Sequence, residues 1–70
     1  MNEGARLLND EQAAEVLAIR PGTLRHWRIA GRGPRWVKLA GRTVRYRLCD
    51  LEDWIEGQIT EPGEQRRAVG

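Results

Sequence analysis

The sequence predicts a small α+β domain, mainly α, with two helices in close succession, a two-stranded hairpin and a closing helix. Three observations carry this. Two apolar patterns of helical period lie either side of Ala18-Ile19-Arg20, the period changes to two after Gly31-Arg32-Gly33-Pro34, and it returns to helical after Asp50.

Length and composition set the limits. With 70 residues, the chain has room for one domain, and domains of this size bury only ~60% of their unfolded surface. Phe is absent, so Trp27, Trp36, Trp54 and Tyr46, with the Leu, Ile and Val set, must supply most of the buried area. Cys49 is the only cysteine, which excludes an internal disulfide and fits a reducing cytoplasm. There is neither a run of ~18 apolar residues nor a charged-then-apolar leader, so a soluble intracellular protein is expected.

Met1 to Arg6 has little to pack and reads as a loose lead-in, with Leu7 and Leu8 docking behind it. Asn9 caps the first helix, Gln12 completes a capping-box spacing, and Leu8 is placed to act as a hydrophobic staple. Ala13 and Leu17 share one face, with Ala14 and Val16 beside them, and the small alanines allow a second helix to approach. Ala18-Ile19-Arg20 is then a turn of the length that helix-turn-helix geometry requires, with Ile19 its apolar anchor.

Pro21 suits the first position of the second helix, and Gly31 lies where a helix stop belongs. Leu24 and Trp27 share its inner face, while Gly22, Arg25, His26 and Ile29 point away. Strands over 35–39 and 43–48 follow. They place Val37, Leu39, Val44, Tyr46 and Leu48 on one face and Lys38, Thr43, Arg45 and Arg47 on the other. A loop at Gly41-Arg42, with Gly first in a type II′ turn, sets Leu39 opposite Val44. It is preferred to a loop at Ala40-Gly41, which would put Arg42 on the core face. The expected product is a wing, apolar beneath and basic above, with Arg42 at its tip. Strict alternation puts Trp36 on the basic face, where it either covers the loop or marks an irregular strand start. Asp50 caps the last helix, whose residues Leu51, Trp54, Ile55 and Ile59 recur at core-facing spacing. The stretch from Thr60 to Gly70, with Pro62 and Gly63 and few apolar residues, reads as a disordered tail.

The net charge of +2 is modest, but it is segregated. Arg20, Arg25, Arg28, Arg32, Arg35, Lys38, Arg42, Arg45 and Arg47 occupy a central stretch that has no Asp or Glu, and acids lie on both sides. A basic centre of this kind reads as the electrostatic footprint of a polyanion partner, here nucleic acid. Arg25 is the expected base reader, because guanidinium to guanine is the commonest specific contact. His26 meets a base edge or a phosphate. Gly22 permits close backbone approach, and Thr23 joins the helix N-terminus at a phosphate. Arg20, Arg28, Lys38, Arg42, Thr43 and Arg45 position rather than specify. Trp27 and Trp54 belong to the core. With no Ser, one His and one Cys, the chain lacks parts for nucleophilic catalysis or a metal site, and no cofactor is expected. Cys49 reads as a small buried hydrophobe.

Over residues 7–58 the ordered set of segments resembles the small winged helix-turn-helix proteins of the excisionase and AlpA-like group, within the wider MerR-like superfamily. The matching pieces are 8–17, Thr23-Leu24-Arg25-His26-Trp27-Arg28, Gly31-Arg32-Gly33-Pro34, Gly41-Arg42-Thr43-Val44-Arg45-Tyr46 and 50–55. Two departures stand out: Arg20 where such proteins often have a capping Ser, and Ala18 where they often have Gly. The resemblance implies a non-catalytic DNA binder, with one helix in the major groove and the wing on the backbone or in the adjacent minor groove. It further implies cooperative binding to repeated sites, DNA bending and assistance to an integrase during excision. A transcriptional regulator of the AlpA type and an adaptor whose basic face meets an acidic protein are the alternative readings.

Overall fold

The computed structural model describes residues 3–62. A 3-10 turn at Glu3–Ala5 leads into strand β1 (Leu7–Leu8), helix α1 (Asp10–Leu17), helix α2 (Pro21–Ile29), strands β2 (Val37–Leu39) and β3 (Thr43–Arg47), and helix α3 (Leu48–Gln58). This is a mainly helical α+β arrangement, three helices with an antiparallel hairpin, consistent with a winged helix-turn-helix.

The expected capping box opens α1. Asn9 Oδ1 accepts from the Gln12 amide at 2.8 Å, and Gln12 Oε1 accepts from the Asn9 amide at 3.0 Å, so two otherwise orphaned donors are satisfied. The helix ends at Ala18, which stands in the left-handed region at φ 56°. That conformation costs an alanine ~1–2 kcal/mol and a glycine almost nothing, a physical reason for the glycine common at this position in similar proteins. Arg20, in extended backbone, precedes Pro21 as the N-cap of α2 and makes no side-chain capping bond.

Leu8, Ala13, Ala14, Leu24, Tyr46 and Leu51 form the buried core, with Leu17, Ile19, Trp27, Val44 and Leu48 packed against it. The alanines fill the inner face of α1 as expected, whereas Val16 faces solvent. Trp27 meets Trp54 of α3 with ring centroids 5.5 Å apart, so α2 is clamped from below by an aromatic pair. Gly33, at φ 89°, passes so close to this pair that a Cβ there would lie 3.0 Å from Trp27 Cε3. Only glycine allows the chain to turn over the Trp27 ring.

Several expectations are corrected. Within the segment read as a lead-in, the 3-10 turn lies against α3 with its residues largely exposed, and Arg6 O accepts from the Leu48 amide at 3.0 Å. Leu7 and Leu8 do more than dock. As β1 they pair antiparallel with β3, giving a three-stranded sheet in the order β1-β3-β2. Asp50 is not the cap of α3, which begins two residues earlier, directly after Arg47. Its carboxylate turns to Arg47 instead, accepting at 2.7 and 2.9 Å. A two-pronged charge-assisted pair outweighs a single capping bond. Ile55 and Ile59 are exposed and Cys49 is half-buried, so Leu48, Leu51 and Trp54 anchor α3. Of the tail expected from Thr60 onward, residues 63–70 lie outside the described residues.

The hairpin differs from both expected loops. Ala40 and Gly41 take φ 51° and 71°, Leu39 O accepts from the Arg42 amide, and Leu39 pairs with Thr43. Arg42 is thus an extra residue in a three-residue loop. With a side-chain period of two, this shift turns β2 over. Lys38 stands opposite Val44, while Val37 and Leu39 stand opposite Arg45 and Thr43. The wing therefore has no uniformly basic upper face. The core demands little of β2: it is a three-residue edge strand, and Leu39 at its tip stays 42% exposed, so the turn chemistry sets the register.

Candidate nucleic-acid interface

The basic residues converge because the short turn after α1 and the hairpin after α2 fold onto the same side. A groove of about 530 Å³ runs between the start of α1, the outer face of α2 and the wing tip. Arg25, Arg28, Arg42, Thr43, Val44 and Arg45 line it, together with Asn9, Asp10 and Glu11. Five of the expected site residues meet here from sequence positions up to 20 apart.

Their states differ. The Arg25 side chain is 52% exposed, and Arg42, on the loop, is exposed. Arg45 is half-buried and donates from Nη1 to the carbonyl of Val44 at 2.7 Å, which folds its guanidinium along the wing backbone. Thr43 begins β3 at the groove wall.

Arg28 is different in kind. Its side chain is only 17% exposed. Nη1 donates to Asp10 Oδ1 at 2.8 Å and to the Tyr46 hydroxyl at 3.0 Å, and Nη2 donates to Asp10 Oδ2 at 3.5 Å. The Asp10 hydrogen bond above all, with that to Tyr46, raises the Arg28 pKa against the opposing effect of burial, so the guanidinium stays charged. It ties α2 to α1 and β3, a strut role that the expectation of a DNA-positioning arginine missed.

Arg20, Gly22, Thr23, His26 and Lys38 do not line the groove. Arg20, Gly22 and His26 are exposed along α2 and its entry, and Thr23 is half-buried with its amide donating to Arg20 O at 3.0 Å. His26 stands on the solvent side of α2 near Ile29, which is 85% exposed. Lys38 is exposed on β2, opposite Val44. Sequence reasoning missed Asp10 in the groove, since it placed the acids outside the basic stretch. Position along the chain held no signal for this, because only the packing of α1 against α2 brings the carboxylate among the arginines.

The arrangement offers cations on a protruding helix and a neighbouring wing, with a neutral apolar clamp beneath. Such a surface suits a duplex, whose groove admits a helix and whose phosphates meet the flanking cations. Among the described residues, no cluster of His, Cys, Asp or Glu could hold a metal ion, and no helix is long and apolar enough to cross a membrane.

Comparison with curated proteins finds no match. A family model for a helix-turn-helix domain matches residues 7–59, which runs from β1 to the residue after α3. That family includes excisionase- and AlpA-like proteins and is typically non-enzymatic. Covering most of the chain, the match shows that this protein belongs to the helix-turn-helix domain family and carries its DNA-binding unit.

Proposed function

We propose that the protein is a sequence-specific double-stranded DNA-binding protein that acts as an excisionase, a recombination directionality factor of a phage or other mobile element. The observation that carries the DNA-binding reading is the groove in which Arg25 of α2 faces Arg42, Thr43 and Arg45 of the wing. The excision role rests on the resemblance of the ordered segments to excisionases.

In this reading α2 enters the major groove. Arg25 reads a base edge, with His26 at a base or phosphate, and Gly22 and Thr23 at the helix start approach the backbone. Arg20, Lys38, Arg42, Thr43 and Arg45 contact phosphates or the adjacent minor groove, and Arg28 supports the helix from inside. One short helix reads few base pairs, so specificity requires several copies on repeated sites, with bending between them and contact with an integrase. The protein acts on nucleoid DNA in the bacterial cytoplasm.

The experiment is a binding titration across salt on a mixed-sequence duplex and on a duplex selected from a random pool. Log K is expected to fall linearly with log salt, with slope of about −0.9 per phosphate neutralised. Arg42→Ala weakens both duplexes alike and lowers the slope by about 0.9. Arg25→Ala narrows the difference between them. A flat salt response or exchanged effects refute the assignment. Adding the protein to an integrase reaction from the same element tests the role: excision unaffected by the protein sinks it.

A further inference from the structure

Two anions, Asp10 and Glu11, stand among the cations and neutral groups that line the groove at the α2–wing junction, and of the two it is Asp10 that lies within ion-pair distance of the arginines. Asp10 is the first residue of α1, where a carboxylate complements the helix dipole, but the dipole does not explain the direction in which this side chain points. Its Oδ1 accepts from Arg28 at 2.8 Å, and its Oδ2 lies 3.8 Å from Nη1 of Arg25. Arg28 is in turn held by the hydroxyl of Tyr46, which is fully buried. A chain of contacts therefore runs from the core through Tyr46 and Arg28 to Asp10, and ends on Arg25. On its other side the Arg25 guanidinium lies over Gly22, with Nη2 3.9 Å from the place a Cβ would occupy.

We propose that Asp10 is a positioning residue that presets Arg25 for base readout. An unrestrained arginine on a DNA-facing helix swings to the nearest phosphate and reads nothing. A carboxylate anchored to the core restrains the guanidinium and repels phosphate from the space beside it, at a cost in total affinity. The anion's repulsion of one phosphate ~6 Å away in water corresponds to about threefold in binding. Discrimination is gained for affinity given up. The proposal rests on the DNA-reading role of Arg25 stated above.

The test uses the full chain and four proteins: wild type, Asp10→Asn, Arg25→Ala and the double variant. Each is titrated on a duplex selected by the wild type from a random pool and on a scrambled duplex, with a thermal melt of each protein. Asparagine still accepts from Arg28 through Oδ1. Asp10→Asn is expected to bind scrambled DNA about threefold tighter and to lose about tenfold in the selected-to-scrambled ratio, the lower part of the range for a bidentate base contact. In the Arg25→Ala background the same change is expected to leave the ratio unmoved. Should Asp10→Asn not fold, Asp10→Glu carries the test, since it keeps the charge, displaces it by one methylene, and is expected to lower the ratio without tightening scrambled binding. Parallel loss on both duplexes with the ratio preserved, or an equal loss of ratio with and without Arg25, overturns the proposal. A wild type that prefers no sequence overturns instead the reading of Arg25 on which it stands.

Discussion

Replacing Arg28 by alanine separates a strut from a DNA clamp. The change leaves the Asp10 carboxylate and the Tyr46 hydroxyl without the guanidinium that joins them. Hydrogen bonds to a charged group contribute ~1.5–3 kcal/mol. The Asp10 side chain is 23% exposed and partly rehydrates, so we take about 2 kcal/mol as the loss. For a domain this small, 1 kcal/mol moves Tm by ~4–8 °C, so a fall of roughly 8–16 °C is expected. Thermal melts and urea titrations followed by tryptophan fluorescence read it, since Trp27 lies on the same helix as Arg28 and packs on Trp54 of α3. Tyr46→Phe removes one end of the strut at about 1 kcal/mol, and the double variant should lose less than the sum, because the two side chains share a bond. Salt dependence of DNA binding, measured well below Tm, supplies the contrast. A strut leaves the slope of log K on log salt unchanged, whereas a phosphate contact removes about 0.9 from it. A slope lowered by that amount with Tm intact refutes the reasoning.

The two turn residues that depart from similar proteins are expected to limit stability. Ala18→Gly relieves the left-handed alanine and gains about 0.5–1 kcal/mol after the greater freedom of the unfolded glycine chain is subtracted. Arg20→Ser supplies the missing cap of α2 and gains about 1 kcal/mol, while weakening DNA binding by one cation; a variant no more stable in urea shows that Ser does not form the cap. Acid sensitivity follows from Asp50, whose residue is 4% exposed. The hydrogen bonds from Arg47 first, then the charges of Arg47 and Arg35, lower its pKa against the effect of burial. A carboxyl depressed in the fold stabilises fully above its unfolded value of ~4 and loses that contribution as pH falls through the folded value. Urea midpoints are thus expected to drop below about pH 4, less steeply in Asp50→Asn; equal slopes in the two proteins would remove Asp50 as the cause.

Local chemistry was legible wherever neighbours in the sequence are also partners in the fold. The Asn9–Gln12 capping box, Pro21 at the first position of α2, the inward Leu24 and Trp27 and the glycine stop follow from contacts within about four residues. The basic stretch likewise pointed to a cationic surface, since charge composition does not depend on packing. Strand register and β1 were not legible. Leu7–Leu8 is too short to show a period, and its strand character comes only from pairing with residues 46 and 47. Ala40 in the left-handed region runs against its preference and so gave no turn signal.

By itself, then, the sequence determined the helix-turn-helix, the presence of a hairpin and the abundance of cations, because capping, periodicity and charge are properties of short stretches. Only the tertiary structure decided which cations are buried as struts and which stay exposed. Arg28 and Arg25 lie three residues apart on one helix with the same chemistry, yet the packing of α1 and β3 against α2 joins the first to Asp10 and Tyr46 and leaves the second half exposed. That division depends on distances between residues 18 positions apart, and no local pattern encodes it.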